Sequence, residues 1–150
     1  MSKYAQMEAR EDFNKARFRE TINRMLGILS PQRQELLSFE DVKSLLQPKS
    51  QSYIGMKTVE VRLIVGSEGR YSDFNKQFLP KHDYLMNRWT RVDEAHIQDI
   101  TLPPIKLFEL GGVYFVRDGN HRVSVAQAQG IERIDAEVVS LNAEIKIQPE

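Results

Sequence analysis

No cysteine occurs among the 150 residues, which excludes disulfides, thiolate metal sites and every reaction that needs a sulfur nucleophile. Net charge is also missing: 21 Lys and Arg offset 21 Asp and Glu, so no broad basic field points to a polyanion partner. No apolar run approaches the roughly 18 residues needed to span a bilayer. The opening Met1-Ser2-Lys3-Tyr4-Ala5-Gln6 carries no apolar core like that of a signal peptide. The expectation is a cytoplasmic protein with no membrane partner. Neither a Gly-x-x-x-x-Gly-Lys-Ser/Thr run nor a Gly-x-Ser-x-Gly elbow is present, so neither a P-loop NTPase nor an α/β-hydrolase is supported.

What is present is ordinary for a globular chain, at 41% hydrophobic and 28% charged. Residues 4–29 contain no proline, and Phe18, Ile22, Met25, Leu26 and Leu29 recur on one helical face. Ser30-Pro31 reads as a helix cap followed by proline at the first helical position, and Ser38-Phe39-Glu40-Asp41 as a second cap before Val42, Leu45 and Leu46. Residues 1–50 are therefore expected to form a helical arm that packs or dimerises, with Lys49-Ser50-Gln51-Ser52 as a connector. From Thr58 the period changes to two, because Val59, Val61, Leu63 and Val65 alternate with their neighbours as in a strand. Leu85, Trp89 and Val92 predict one short helix, and Asp93 a cap for another running to about Ile100. Ile105 to Leu110 and Val113 to Arg117 then predict a hairpin turned by Gly111-Gly112. Next come an Asp118-Gly119-Asn120 turn, a helix over 121–129, Gly130 as its stop and a strand over 133–139. The fold class expected is α+β, a small mixed β-sheet with packed helices, filling residues 58–150 behind the arm.

The chemistry concentrates at Asp118-Gly119-Asn120-His121-Arg122. A glycine turn opening a helix lets a ligand approach the backbone, and the first free N–H groups of the helix then point at an anion. Arg122 can add a bidentate contact to a phosphate. His121 can donate to a phosphate oxygen or shuttle a proton, and Asp118 can hold a divalent metal, orient the histidine or merely cap the helix.

The same region resembles a known superfamily. The run Leu102-Pro103-Pro104-Ile105-Lys106-Leu107-Phe108, then Gly112 through Arg122, then Ala126 and Gly130, then Ile134-Asp135-Ala136-Glu137-Val138, is similar to ParB/sulfiredoxin-like domains. In that pattern a Pro-Ile strand and a glycine-turned hairpin lead to a Gly-x-x-Arg or Gly-x-His-Arg box on a helix. The likeness covers about residues 58–140 and leaves the arm outside. Sulfiredoxins carry a catalytic cysteine where this chain has Asn120, so sulfinic acid reduction is excluded. Partition ParB proteins bind CTP through Gly-Glu-Arg-Arg, but Asn120-His121 stands in place of Glu-Arg, and no helix-turn-helix module follows within these 150 residues. Free serine kinases of this superfamily carry Asp-Gly-His-His-Arg, which differs from this box only at Asn120, and use an upstream acid as base.

The resemblance implies a nucleoside di- or triphosphate with Mg²⁺, held by Gly119, Asn120, His121 and Arg122, with Asp118 on the metal. Glu68, in the Gly66-Ser67-Glu68-Gly69-Arg70 loop, is the upstream acid that fits, with Asp73 and Asp93 as competitors. Arg70 resembles the arginine after the first strand of ParB, and Arg88 and Arg91 offer a second register for it. Terminal phosphate hydrolysis or transfer is the reaction implied, with Glu68 or His121 handling the proton. The rival expectation is a DNA-associated or nuclease-like regulator, because residues 62–91 hold six Lys and Arg against three acids with Phe74, Phe78, Tyr84 and Trp89 interleaved. A non-catalytic interaction module is the third reading, and a homodimer through the arm accompanies any of them.

Overall fold

The computed structural model describes residues 2–29 and 35–143, with side chains for all of these except 21–29. Four helices and six strands are described: α1 (Lys3–Leu29), β1 (Leu37–Ser38), α2 (Phe39–Leu46), β2 (Ser50–Glu60), β3 (Ile64–Ser67), α3 (Met86–Ile97), β4 (Ile105–Leu110), β5 (Val113–Asp118), α4 (Asn120–Ala128) and β6 (Arg133–Asn142). The strands form one mixed sheet in the order β1-β3-β5-β4-β6-β2. β3 runs parallel to β1 and β5, β4 antiparallel to β5 and parallel to β6, and β2 antiparallel to β6. This is the α+β class with a small mixed sheet and packed helices that the alternation of periods predicts.

The hairpin forms where expected. Gly111 and Gly112 both hold positive φ, 66° and 85°, the pair of angles that a two-residue turn requires to match strand twist. Each face of the sheet carries its own apolar cluster. Val59, Ile105, Leu107, Val116, Ala136 and Val138 meet Trp89 and Val123 on one side, while Phe115, Leu110, Val113 and Leu141 meet Phe39 and Val42 of α2 on the other. Ser38 caps α2 by accepting from the Asp41 N–H. At the centre of the larger cluster the indole Nε1 of Trp89 donates to Ser124 Oγ at 2.8 Å, and both residues are fully buried. Ser124→Ala orphans that donor and is expected to lower the unfolding free energy by about 1–3 kcal/mol; an unchanged urea midpoint would show that the N–H has another partner.

Several expectations are corrected. The strand expected from Thr58 to Val65 is two: β2 ends at Glu60, a 3-10 turn covers Val61–Leu63, and β3 starts at Ile64. The Val61 N–H donates out of the ladder to the Glu132 carbonyl, and the buried positions slip phase from Val59 and Val61 to Ile64 and Gly66. Of the expected connector, residues 49–52, all but Lys49 belong to the start of β2, an exposed edge strand held by pairing along β6. Asp93 caps nothing. It lies fully buried inside a single α3, where Gln129 Nε2 donates to it at 3.0 Å and to Asp12 of α1 at 2.8 Å. The cap expected at Ser30-Pro31 lies outside the described residues.

The helical face expected in α1 is corrected at Phe18, while the side chains of Ile22, Met25, Leu26 and Leu29 lie outside the described residues. Phe18 is 67% exposed, and the inward face is Ala5, Ala9, Phe13 and Ala16. Alanine lets the helix backbone approach α3 closely, and Phe13 then meets Trp89 edge-on with ring centroids 5.5 Å apart. The expected arm therefore packs onto the sheet domain through α1, and Leu37–Ser38 adds a strand beside β3.

Candidate functional site

The parallel strands β3 and β5 end side by side, with Ser67 in register with Val116, and both chains leave the sheet at that edge. Ligands of open sheets settle outside the carboxyl ends of such strands. Here the Glu68-Gly69-Arg70 loop, the Asp118-Gly119 turn and the start of α4 surround a cleft of about 410 Å³. Gly119 enters α4 with φ 117°. Its absent side chain is also required by packing, because a Cβ there would lie 2.5 Å from Ile105 Cγ2. No side chain caps this helix, and its first ladder bond runs from the Val123 N–H to the Gly119 carbonyl. The N–H groups of Asn120, His121 and Arg122 therefore open the helix with its positive dipole end at the cleft.

Glu68, Arg70, Arg88, Asp118, Gly119, Asn120, His121 and Arg122 all line this cleft, joined by Arg117. Arg91 does not; it stands one turn further along α3, exposed. Asp73 lies beside the cleft as an anchor: buried, it receives Arg70 Nη1 at 3.3 Å and the Tyr84 hydroxyl at 2.6 Å. The Ser67 hydroxyl donates to Asn120 Oδ1 at 2.8 Å and accepts from the Arg70 N–H at 3.4 Å. Ser67 thus ties the β3 loop to the α4 box. No sequence signal marks it, since a serine after a strand is common turn chemistry. Arg117 is likewise missed by the sequence reading, although it directly precedes Asp118.

His121 carries the electrostatic signature of the site. Burial first, then the guanidinium charges of Arg88 and Arg70, push its pKa down to about 4 against the partial opposition of Asp73. The imidazole is neutral at pH 7, rests edge-on against Phe74 at 5.5 Å, and keeps a buried Nδ1 with no hydrogen-bond partner. Burial also lowers the pKa of Arg122, whose Nη1 donates to the Pro103 carbonyl. That bond fixes the guanidinium between the cleft and an apolar groove lined by Val92, His96, Leu102 and Ile134.

Two arginines pinned by other groups, a third on α3 and an uncapped helix start make a cationic, hydrogen-bond-donating cleft. Among the described residues no cluster of three or more His, Asp or Glu could hold a metal ion unaided. Asp118 and Glu68 can supply a carboxylate to a cation whose remaining ligands are phosphate oxygens, the usual arrangement for Mg²⁺. The aromatics of 62–91 divide: Phe74, Phe78 and Trp89 are core, and Tyr84 is exposed and stacked on His82. Among the described residues no helix is long and apolar enough to cross a membrane.

Comparison with known proteins adds little beyond this geometry. No protein-family model matches the sequence, and no curated protein matches it. The chain is similar to the crystal structure of sulfiredoxin from Arabidopsis thaliana, at 18% identity and TM-score 0.41, over 55% of this chain and 82% of that one. Function is therefore argued from the cleft itself.

Proposed function

We propose that the chain binds a nucleoside di- or triphosphate, with its phosphates at the start of α4. One observation carries this reading: the uncapped N–H groups behind Gly119 share a single cleft with Arg70, Arg88 and Arg122. Phosphate oxygens supply acceptors for the helix N–H groups and for the guanidinium N–H groups that Asp73 and the Pro103 carbonyl leave over. A neutral His121 fits the same ligand, because it donates to an anion without adding a buried charge. Bound Mg²⁺ would neutralise phosphate charge, with Asp118 as its protein ligand. In a hydrolytic or transfer reaction Arg122 and the backbone N–H groups hold the terminal phosphate, and Glu68 accepts the proton of the attacking hydroxyl.

Calorimetric titration with ATP, ADP, CTP and GTP in Mg²⁺ tests the reading. Saturable binding of at least one nucleotide is expected, weakened about 10- to 100-fold in Arg88→Ala. Arg88 is exposed, so the variant is expected to fold normally. Phosphate release that stops in Glu68→Gln while binding persists adds the catalytic step; no binding to any nucleotide overturns the proposal. Exposed Tyr84 beside Arg70 favours a second reading, a single-stranded nucleic-acid phosphate in the same cleft. That reading requires affinity that falls steeply with salt, whereas a flat response sinks it.

A further inference from the structure

The longest helix of the protein presents two apolar faces, of which the described fold uses one. Ala5, Ala9, Phe13 and Ala16 are buried. On the opposite side Tyr4 and Met7 are 73% and 65% exposed, in line with Phe18 at 67%. In the sequence the same helical period continues through Ile22, Met25 and Leu29. Single exposed apolar residues need no explanation, but three at helical spacing on one face between Tyr4 and Phe18 are the mark of a helix that packs on another helix.

Charge along the stripe selects the occupant. Arg10, Glu11 and Lys15 are the exposed charged residues between Met7 and Phe18; by helical spacing Glu11 and Lys15 fall in line with Met7 and Phe18, and Arg10 flanks them. The half of α1 before Phe13 carries Glu8, Glu11 and Asp12 against Lys3 and Arg10. The half after it carries Lys15, Arg17, Arg19 and Arg24 against Glu20. Laid antiparallel on a copy of itself, with a two-fold axis level with residue 13, the helix sets Glu11 opposite Lys15 of the other copy, twice. Met7 and Phe18 then lie beside each other, also twice. A parallel arrangement would set Glu11 against Glu11 and Lys15 against Lys15. Self-complementary patches of this kind define an isologous two-fold interface.

We infer that the outward stripe of α1 is a homodimer interface, in which two copies pair antiparallel through Tyr4, Met7 and Phe18 with crossed Glu11 and Lys15 contacts. The interface is independent of the nucleotide cleft, and either can fail without the other. Charge exchange tests it, because the substituted side chains are exposed and leave the core untouched. Sedimentation equilibrium over a concentration series is expected to give the dimer mass for the 150-residue chain. Glu11→Lys is expected to weaken dimerisation on the order of ten-fold or more by placing like charges across the axis, and Lys15→Glu to do the same. The double variant Glu11→Lys with Lys15→Glu is expected to restore the dimer. Circular dichroism and the thermal midpoint of each variant report whether the fold is intact. A monomer mass at every concentration overturns the inference. So does a dimer indifferent to both single reversals, or a double variant that stays monomeric.

Discussion

Gly119→Ala is expected to destabilise the protein by about 3–5 kcal/mol and to abolish anion binding in whatever fraction remains folded. Two independent penalties meet at this position. The backbone φ of 117° lies where L-residues are rarely found, a strain of about 1–3 kcal/mol. The added Cβ would also sit 2.5 Å from Cγ2 and 2.8 Å from Cβ of Ile105, and Ile105 is buried in the main core with no free end to swing away. The chain must then retreat from β4, which moves the first turn of α4 and scatters the N–H groups of Asn120, His121 and Arg122. Gly112→Ala is the control: it shares a positive φ of 85°, but nothing lies within 4 Å of its added Cβ. Its cost is expected at about 1 kcal/mol, with ligand binding unchanged. Thermal unfolding and titration of the two variants separate the terms. Equal losses at both positions would show that Ile105 yields freely and that packing beneath the turn does not shape the site.

The residues that make this turn were legible from the sequence because their chemistry is local. Gly111-Gly112 and Asp118-Gly119-Asn120 announce backbone angles that few other residues supply, and an apolar strand on either side fixes the direction of the chain. The misreadings arose where tertiary partners decide. β2 escapes notice through residue 57 because most of its residues are exposed on both faces, so no alternation of polarity is needed; its pairing with β6 is made by backbone atoms that any sequence carries. The buried face of α1 escapes because alanines contribute little apolar signal, although they allow the closest helix approach. Phe18 dominates the sequence pattern and faces outward. Within the site, Glu68, Arg70 and the α4 box line one cleft, the grouping that the resemblance implied, while the choice between Arg88 and Arg91 needed the rotation of α3. Ser67 fixes Asn120 across 53 residues of chain, a separation that carries no local signal, while Asp73, a candidate base in the sequence, instead fixes Arg70 three residues before it.

Stability is expected to be nearly level from about pH 4 to 6.5 and then to fall by about 2 kcal/mol by pH 8, through two groups that pull in opposite directions. Burial, the neighbouring Asp12 and the charge of Glu8 raise the pKa of Asp93 to about 8, against the donation from Gln129. Its carboxyl is therefore protonated in the native state over a range where the unfolded chain has lost the proton. The stability it contributes is complete below the ordinary carboxyl pKa of 3.8 and is lost as pH rises through about 8. His121 does the reverse. With its pKa lowered from 6.5 to about 4, it contributes stability that is complete above 6.5 and lost as pH falls through about 4. Between 4 and 6.5 the two slopes cancel, each near 1.4 kcal/mol per pH unit; above 6.5 only Asp93 remains. Asp93→Asn places a neutral donor where the protonated carboxyl stood and keeps an acceptor for Gln129. The variant is expected to level the profile from pH 6.5 to 8 and to expose the His121 slope below 6.5. Urea unfolding across pH 4.5 to 9 at fixed ionic strength reads both limbs. If Asp93→Asn retains the fall above 6.5, the fall belongs to another group, and the carboxyl that joins α1, α3 and α4 is ionised in the native protein.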